Sequence, residues 1–208
     1  MPFSNYDQLV KEVIDYSHRG DLGTKIEGFI KLAENAMYSN DKEVLTVRSM
    51  ETTTSEALTG SEFDLPVGFE SARSVRILTG GGNGYLKFQA PQQMRPIVST
   101  GMPNFFTILG SKLKLDRAPD SGYTLEITYY KKADPLSKDN LTNDVLTEHP
   151  SIYLYGSLAQ LSAYTLDTEQ QIKYSQMFID AIRGANKADK KGRYGPAPTM
   201  SSPQGMRP

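Results

Sequence analysis

The chain has 208 residues, 38% of them hydrophobic and 23% charged, which is enough for one large domain or two small ones. Lysine plus arginine (23) nearly balances aspartate plus glutamate (24), and the net charge of −1 does not favour a protein that coats nucleic acid or an anionic membrane. The absence of cysteine excludes disulfides and thiolate metal sites, and no apolar run resembles a signal peptide or a membrane span, so we expect a protein made in a cytoplasm.

Two amphipathic helices are predicted at the start of the chain. In the first, residues 4–19, Ser4 and Asp7 resemble a capping box and Gly20 ends the helix. The second helix follows the break "HRGDLG", and its apolar stripe consists of Ile26, Phe29, Ile30, Ala33 and Met37. Because the break is short, the pattern predicts that the two helices are antiparallel neighbours.

A β-rich block begins near Val44. Short runs rich in Val, Ile, Thr, Phe and Tyr are separated by Gly, Pro, Ser and Asn, which is typical of antiparallel sheet with turns. Two hairpins are predicted. One joins "VRIL" to "YLKFQ" through the glycine-rich tip "TGGGNGY", and the other joins the alternating runs at 112–116 and 125–129 through a turn at 119–122.

Helices return after Thr147. Pro150 suits a first helical turn, and Gly156, Ala159 and Ala163 are small enough for another helix to approach closely. The final helix covers about residues 168–191 and ends in "NKADKKGR", where basic side chains complement the carbonyl end of the helix dipole.

This order of elements predicts an α+β fold, in which helices from both ends of the chain form one bundle and an antiparallel β domain is inserted between them. The expected parts are an N-terminal helical hairpin, an inserted β-rich domain, a C-terminal helical hairpin that completes the bundle, and an extended arm: residues 1–42, 43–146, 147–192 and 193–208.

The C-terminal arm (193–208) cannot form a core of its own, because it contains four prolines, two glycines and few apolar side chains. We predict that it is ordered by binding another protein. The expected anchors are Tyr194, Met200 and Met206 in apolar pockets, with Arg193 and Arg207 pairing with carboxylates. Proline lowers the cost of ordering by stiffening the free arm towards polyproline II.

Candidate catalytic motifs are weak. "TGGGNGY" lacks the ending and the spacing of a nucleotide-binding loop, and a hairpin tip is favoured. Ser111 and Lys114 have the spacing of some serine nucleophiles, but on an alternating strand they point to opposite faces. His18 and His149 lie at helix ends without a partner histidine, which favours capping or surface roles. The sequence therefore predicts no cofactor, no metal and no enzymatic activity.

A basic run near the end of the last helix has two interpretations, which the sequence leaves open. Lys187, Lys190 and Lys191 can contact DNA or an acidic protein surface, or they are a solvated helix end.

Four segments, taken in order, resemble the head-to-tail adaptor (connector) family of short-tailed phages, of the phiSU10-like or tail tubular protein A type. They begin "YDQLVKEVIDYSHRGDLG", "FDLPVGFESARSV", "FFTILGSKLKLDRAPDSG" and "LTEHPSIYLYGSLAQLSAY", and the closing "RYG…MRP" is also similar to these adaptors. The resemblance covers nearly the whole chain.

The resemblance implies a non-enzymatic ring, usually dodecameric, that docks below the portal of the capsid and surrounds the DNA exit channel. It implies that the helical part and the arm engage the portal protein, that the β part faces a tail nozzle or tail tube protein, and that tail fibres are possible further partners. The expected location is the neck of the virion, after synthesis in the cytoplasm of a bacterial host. Two alternatives stay open: another neck component, such as a tail completion or terminator protein, and a small phage enzyme or DNA-binding accessory factor.

Overall fold

The computed structural model describes residues 3–79, 82–120 and 122–194, and it confirms the α+β fold class. The chain divides into two compact units. The helical unit consists of Met1–Arg48 and Pro135–Pro208, and the β unit consists of Ser49–Asp134.

The helical unit is built around one central helix. Its helices are α1 (Tyr6–Ser17), α2 (Ile26–Ser39), α3 (Asp144–Glu148), α4 (Pro150–Tyr164) and α5 (Thr168–Tyr194), with a 3-10 helix at Gly20–Lys25. The helices α1, α2 and α5 all pack against α4. Buried side chains consequently occur all around α4, as expected for a helix enclosed by others: Ile152, Tyr153, Leu154, Leu158 and Leu161.

The N-terminal helices differ from the prediction at the N-cap. α1 and α2 contact each other, although less than each contacts α4. The N-cap of α1 is Asn5 and not Ser4, because the Asn5 side chain accepts the N–H of Gln8 at 2.9 Å. The Gln8 side chain accepts the N–H of Ser4 at 2.8 Å in return, which gives the reciprocal bonding of a capping box.

Close approach at Gly156 is confirmed. A Cβ atom on this residue of α4 would lie 2.9 Å from Ala33 Cβ on α2 and 3.0 Å from the Phe178 ring on α5. A side chain at this position would require Ala33 or the Phe178 ring to move. Pro150 is the first residue of α4, as predicted, although the short helix α3 before it was not expected.

The β unit contains two four-stranded sheets. The strands are β1 (Glu51–Ala57), β2 (Glu62–Asp64), β3 (Phe69–Thr79), β4 (Gly82–Tyr85), β5 (Lys87–Phe88), β6 (Phe105–Leu109), β7 (Lys112–Leu115) and β8 (Thr124–Lys131). The sheet orders are β1-β8-β3-β4 and β2-β7-β6-β5. Side chains from both sheets form one core, which includes Val75, Ile77, Leu113, Leu125 and Ile127.

One predicted hairpin is confirmed and the other is wrong. β3 pairs with β4 in antiparallel register from Arg76↔Tyr85 to Thr79↔Gly82. The strands β7 and β8, however, belong to different sheets. β7 instead forms its hairpin with β6, through a tight turn in which Gly110 has a φ of +63°, a conformation that favours glycine.

Candidate functional site

The last helix extends further than the sequence predicted. α5 ends at Tyr194 and therefore includes Arg193 and Tyr194, which were expected in the C-terminal arm. The other predicted anchors, Met200, Met206 and Arg207, lie outside the described residues. The anchor residues are thus divided between the end of a helix and the segment that follows it.

Three lysines form the basic end of α5. Lys187, Lys190 and Lys191 are all exposed, and a spacing of three to four residues places them on one side of the helix. No ion pair involves them in the part of the chain that the structure describes, whereas Arg183, one turn earlier, pairs with Asp180 at 3.1 Å. These lysines are available to an anionic surface.

A buried asparagine fixes the rotation of α5 about its axis. Asn186 Nδ2 donates to the main-chain oxygen of Val44, and Asn186 Oδ1 accepts the N–H of Thr46, both at 2.9 Å. One turn later, the Asp189 carboxylate accepts the N–H of Arg48, also at 2.9 Å. These bonds hold one side of α5 against the chain at 44–48, and the basic end of α5 is exposed as a consequence.

An apolar groove of about 600 Å³ lies within the β unit. Its lining includes Phe69, Tyr85, Phe88, Phe106 and Ile108, and we call it the aromatic groove. Tyr85 and Phe88 are 67% and 62% exposed. The Phe88 and Phe106 rings meet edge to face, with 5.6 Å between their centroids. Exposed aromatic side chains in a concave apolar surface are typical of a protein-binding site.

One wall of the aromatic groove is an unpaired strand edge. β4 pairs only with Arg76–Thr79 of β3, and the bond from Leu86 N–H to Val75 O adds one more residue. Residues 69–74 all line the groove, and within the described ranges no strand pairs with that side of them. We call these residues the bare edge of β3. Such an edge can pair with an extended segment of another chain.

Two charged side chains of the bare edge form ion pairs within the β unit. Glu70 pairs with Lys132 at 2.9 Å, and Arg73 pairs with Glu51. The Glu70 side chain remains 25% exposed. Glu70 is also one of the residues that line the groove.

A buried aspartate fixes the start of β6. Asp116 is 2% exposed, and its Oδ1 accepts the N–H groups of Asn104 (3.0 Å) and Phe105 (3.2 Å). The main-chain oxygen of Asp116 accepts the N–H of Ile97 at 2.7 Å. The loop before β6 is consequently held at two points, and Val98 on this loop is fully exposed.

A polar network fixes the segment that leads into α3 and α4. Glu34 Oε1 on α2 accepts the N–H of Leu136 (2.8 Å) and the hydroxyl of Tyr153 (3.1 Å). The Tyr153 oxygen in turn accepts from Asn143 Nδ2 at 2.7 Å, and Asn143 Oδ1 caps α3 by accepting the N–H of Leu146. Burial raises the pKa of the Glu34 carboxyl and, more strongly, the pKa of the Tyr153 hydroxyl.

The described residues contain no catalytic arrangement of the kinds considered in the sequence. No group of three or more His, Cys, Asp or Glu side chains within them could hold a metal ion. His18 is the C-cap of α1 and His149 lies between α3 and α4, as their positions at helix ends predicted. Lys114 pairs with Glu62 at 2.8 Å across β7 and β2 and is not part of a nucleophile pair.

The sequence did not reveal the aromatic groove. Its walls come from β3, β4, β5 and β6, and β5 pairs with β6 in parallel, through Lys87↔Phe105 and Phe88↔Phe106. No local pattern encodes such a contact. The one available signal was the run "YLKF", in which apolar residues are too frequent for a strand with one solvated face.

Comparison with protein-family models gives a match over nearly the whole chain. The family model described as SU10 adaptor protein matches residues 4–202, which include nearly all of both units. A search of curated proteins found no match. Among the described residues, no helix has the length and the apolar character needed to cross a membrane.

Proposed function

The chain belongs to the SU10 adaptor family and is a phage adaptor protein, and on this basis we propose that it forms a ring below the portal that joins the capsid to the tail. The observation that carries the proposal is the match over residues 4–202, since it includes the bundle as well as the inserted β unit. The proposed location is the neck of the virion.

The proposed ring is a homo-oligomer, with a dodecamer as the expected copy number. A closed ring uses head-to-tail contacts, in which two different surfaces of each copy meet. The β unit supports this with the aromatic groove, a concave apolar surface with the exposed side chains of Tyr85 and Phe88 on it. The work of such a ring is binding, and it requires neither a cofactor nor the making of covalent bonds.

The proposed partners are the portal protein above the ring, a nozzle or tail tube protein below it, and tail fibres in addition. Genomic DNA passes through the lumen without sequence-specific contact. The basic end of α5 suits either an acidic surface of the portal or the phosphates of passing DNA, because its three lysines carry no ion pair among the described residues.

The C-terminal arm is proposed to engage the portal or a neighbouring copy. At about 3.3 Å per residue, residues 195–208 reach about 46 Å when fully extended, which exceeds the radius of a compact domain. Met200 and Met206 are the proposed apolar anchors, and Arg207 the proposed partner of a carboxylate.

The test is reconstitution with isolated portal protein. The full chain is expected to form a ring on the portal, seen by electron microscopy of the mixture, whereas a chain that ends at Tyr194 keeps its circular dichroism and binds the portal more weakly. A matched control carries Leu166→Ser, which changes an exposed apolar side chain of the helical unit outside the arm. A full chain that binds tail tube protein but not the portal would assign it to another neck component instead.

A further inference from the structure

The aromatic groove has the features of a site for an extended peptide. The groove combines aromatic walls at Tyr85, Phe88 and Phe106 with the bare edge of β3, so it offers an extended peptide both apolar contacts and main-chain hydrogen bonds. Strand addition uses this combination, because the edge supplies affinity and the side-chain pockets supply specificity. An occupant should therefore be extended, apolar at intervals and available to every copy.

The chain beyond α5 has these properties. Residues 195–208 contain no acidic side chain, and their prolines favour an extended backbone. Between Pro198 and Pro203 lies the proline-free stretch 199–202, in which every residue has an N–H group, so whichever alternate residues face a strand edge can donate to it; Met200 lies within this stretch. Methionine adapts its shape to irregular apolar pockets and makes favourable contacts with aromatic rings.

The charges of the chain beyond α5 and of the groove are complementary. Residues 195–208 carry one cationic side chain, Arg207, while the groove lining contains Glu70, an acidic residue whose side chain is partly exposed. Arginine can bind a carboxylate that already has a lysine partner, since a carboxylate has two oxygens and accepts several hydrogen bonds.

We propose that residues 195–208 of one copy occupy the aromatic groove of the neighbouring copy, with residues 199–202 along the bare edge of β3 and Met200 between the aromatic side chains. The inference rests on the proposed ring. Each copy then contributes one arm and receives one, which is the head-to-tail contact that a closed ring repeats. The prolines reduce the entropy that the arm loses on binding.

The first experiment measures binding of a fluorescent peptide of sequence 195–208 to the chain that ends at Tyr194. Saturable binding is expected, and Met200→Ser in the peptide should weaken it about ten- to a hundredfold, the range for loss of one buried apolar side chain. Phe88→Ser or Tyr85→Ser in the protein should have a similar effect. Val98→Ser, an exposed apolar site of the same unit outside the groove, is the matched control and should leave binding unchanged.

The second experiment tests whether the contact joins two copies. The full chain with Phe88→Ser retains its arm but has a damaged groove, and the chain that ends at Tyr194 retains its groove but has no arm. Their mixture is expected to contain a one-to-one complex by analytical ultracentrifugation, while each alone remains a monomer. A mixture without the complex would overturn the exchange between copies.

Portal binding, measured in parallel, separates this inference from the proposed function. If the peptide binds isolated portal protein and not the groove, the groove assignment is wrong and the adaptor function stands. If the unmodified full chain neither forms a ring nor binds the portal, the proposed function fails, whatever the peptide does.

Discussion

Replacing Glu34 with alanine is expected to destabilise the helical unit, whereas replacing it with glutamine is not. Glu34 Oε1 accepts from the Leu136 N–H and from the Tyr153 hydroxyl, and both of these residues are almost completely buried. A buried donor without a partner costs about 1–3 kcal/mol, so Glu34→Ala should lower the free energy of unfolding by about 2–4 kcal/mol. Glu34→Gln keeps an oxygen at the same place and should change it by less than about 1 kcal/mol at acidic pH.

The pH dependence of the free energy of unfolding provides a second, independent test of the role of Glu34. Burial raises the pKa of the folded Glu34 carboxyl above its ordinary value of 4.5, so the folded state favours the protonated form. The resulting stabilisation is fully present below the unfolded pKa and is lost as the pH rises through the folded pKa. Glutamine does not titrate. The Gln variant should therefore gain stability relative to the natural protein as the pH rises from the ordinary carboxyl value of 4.5 through the raised pKa of folded Glu34.

Urea unfolding followed by far-ultraviolet circular dichroism, which reports mainly on the helices, measures both effects. The reasoning would be refuted by a Gln variant that loses as much stability as the Ala variant, because the oxygen acceptor would then not be what matters. A Glu34→Ala, Tyr153→Phe double-mutant cycle adds a direct check. Hydrogen-bonded partners should be coupled by at least about 0.5 kcal/mol.

Two further predictions concern packing and loop position. Gly156→Ala should lower the free energy of unfolding by about 1–3 kcal/mol, since its Cβ would lie 2.9 Å from Ala33 Cβ. Gly184→Ala, whose Cβ would have no atom within 4 Å, should instead stabilise α5 by about 0.5–1 kcal/mol. Thermal unfolding of both variants measures the contrast. Asp116→Ala should release the loop before β6, and a protease should then cleave this loop faster. Asp120→Ala, at an exposed site of the same unit, is the control and should leave the cleavage rate unchanged. Equal cleavage rates for the two variants would contradict the role assigned to Asp116.

Local patterns predicted the helices and the fold class well, because an apolar stripe needs only its own residues to be recognised. The stripe of α2, from Ile26 to Met37, is buried as expected. The same reasoning failed for β7. Its alternating apolar side chains would suit pairing with β6 or with β8 equally, and the tight turn at Gly110 favours β6.

The candidate sites were less predictable from sequence, because they depend on contacts between distant segments. Glu34 adjoins the apolar stripe and resembles an ordinary surface residue, yet its partners Leu136 and Tyr153 lie more than 100 positions away. The aromatic groove likewise requires four strands to be placed before it exists. The C-terminal arm was predicted from composition alone, and it stays a prediction because residues 195–208 lie outside the described residues.

The surfaces proposed for assembly can be altered one at a time, and this makes the adaptor hypothesis testable. The core of the β unit consists of residues from that unit alone, and Tyr85 and Phe88 do not belong to it. Serine at either position therefore alters the proposed binding surface while every side chain of the core stays in place. The lysines of the basic end of α5 are likewise exposed and outside the bonds that Asn186 makes. None of these substitutions or truncations needs to unfold the protein to have an effect. A defect in ring formation, in portal binding or in the salt dependence of binding can therefore be assigned to the groove, the arm or the basic end of α5.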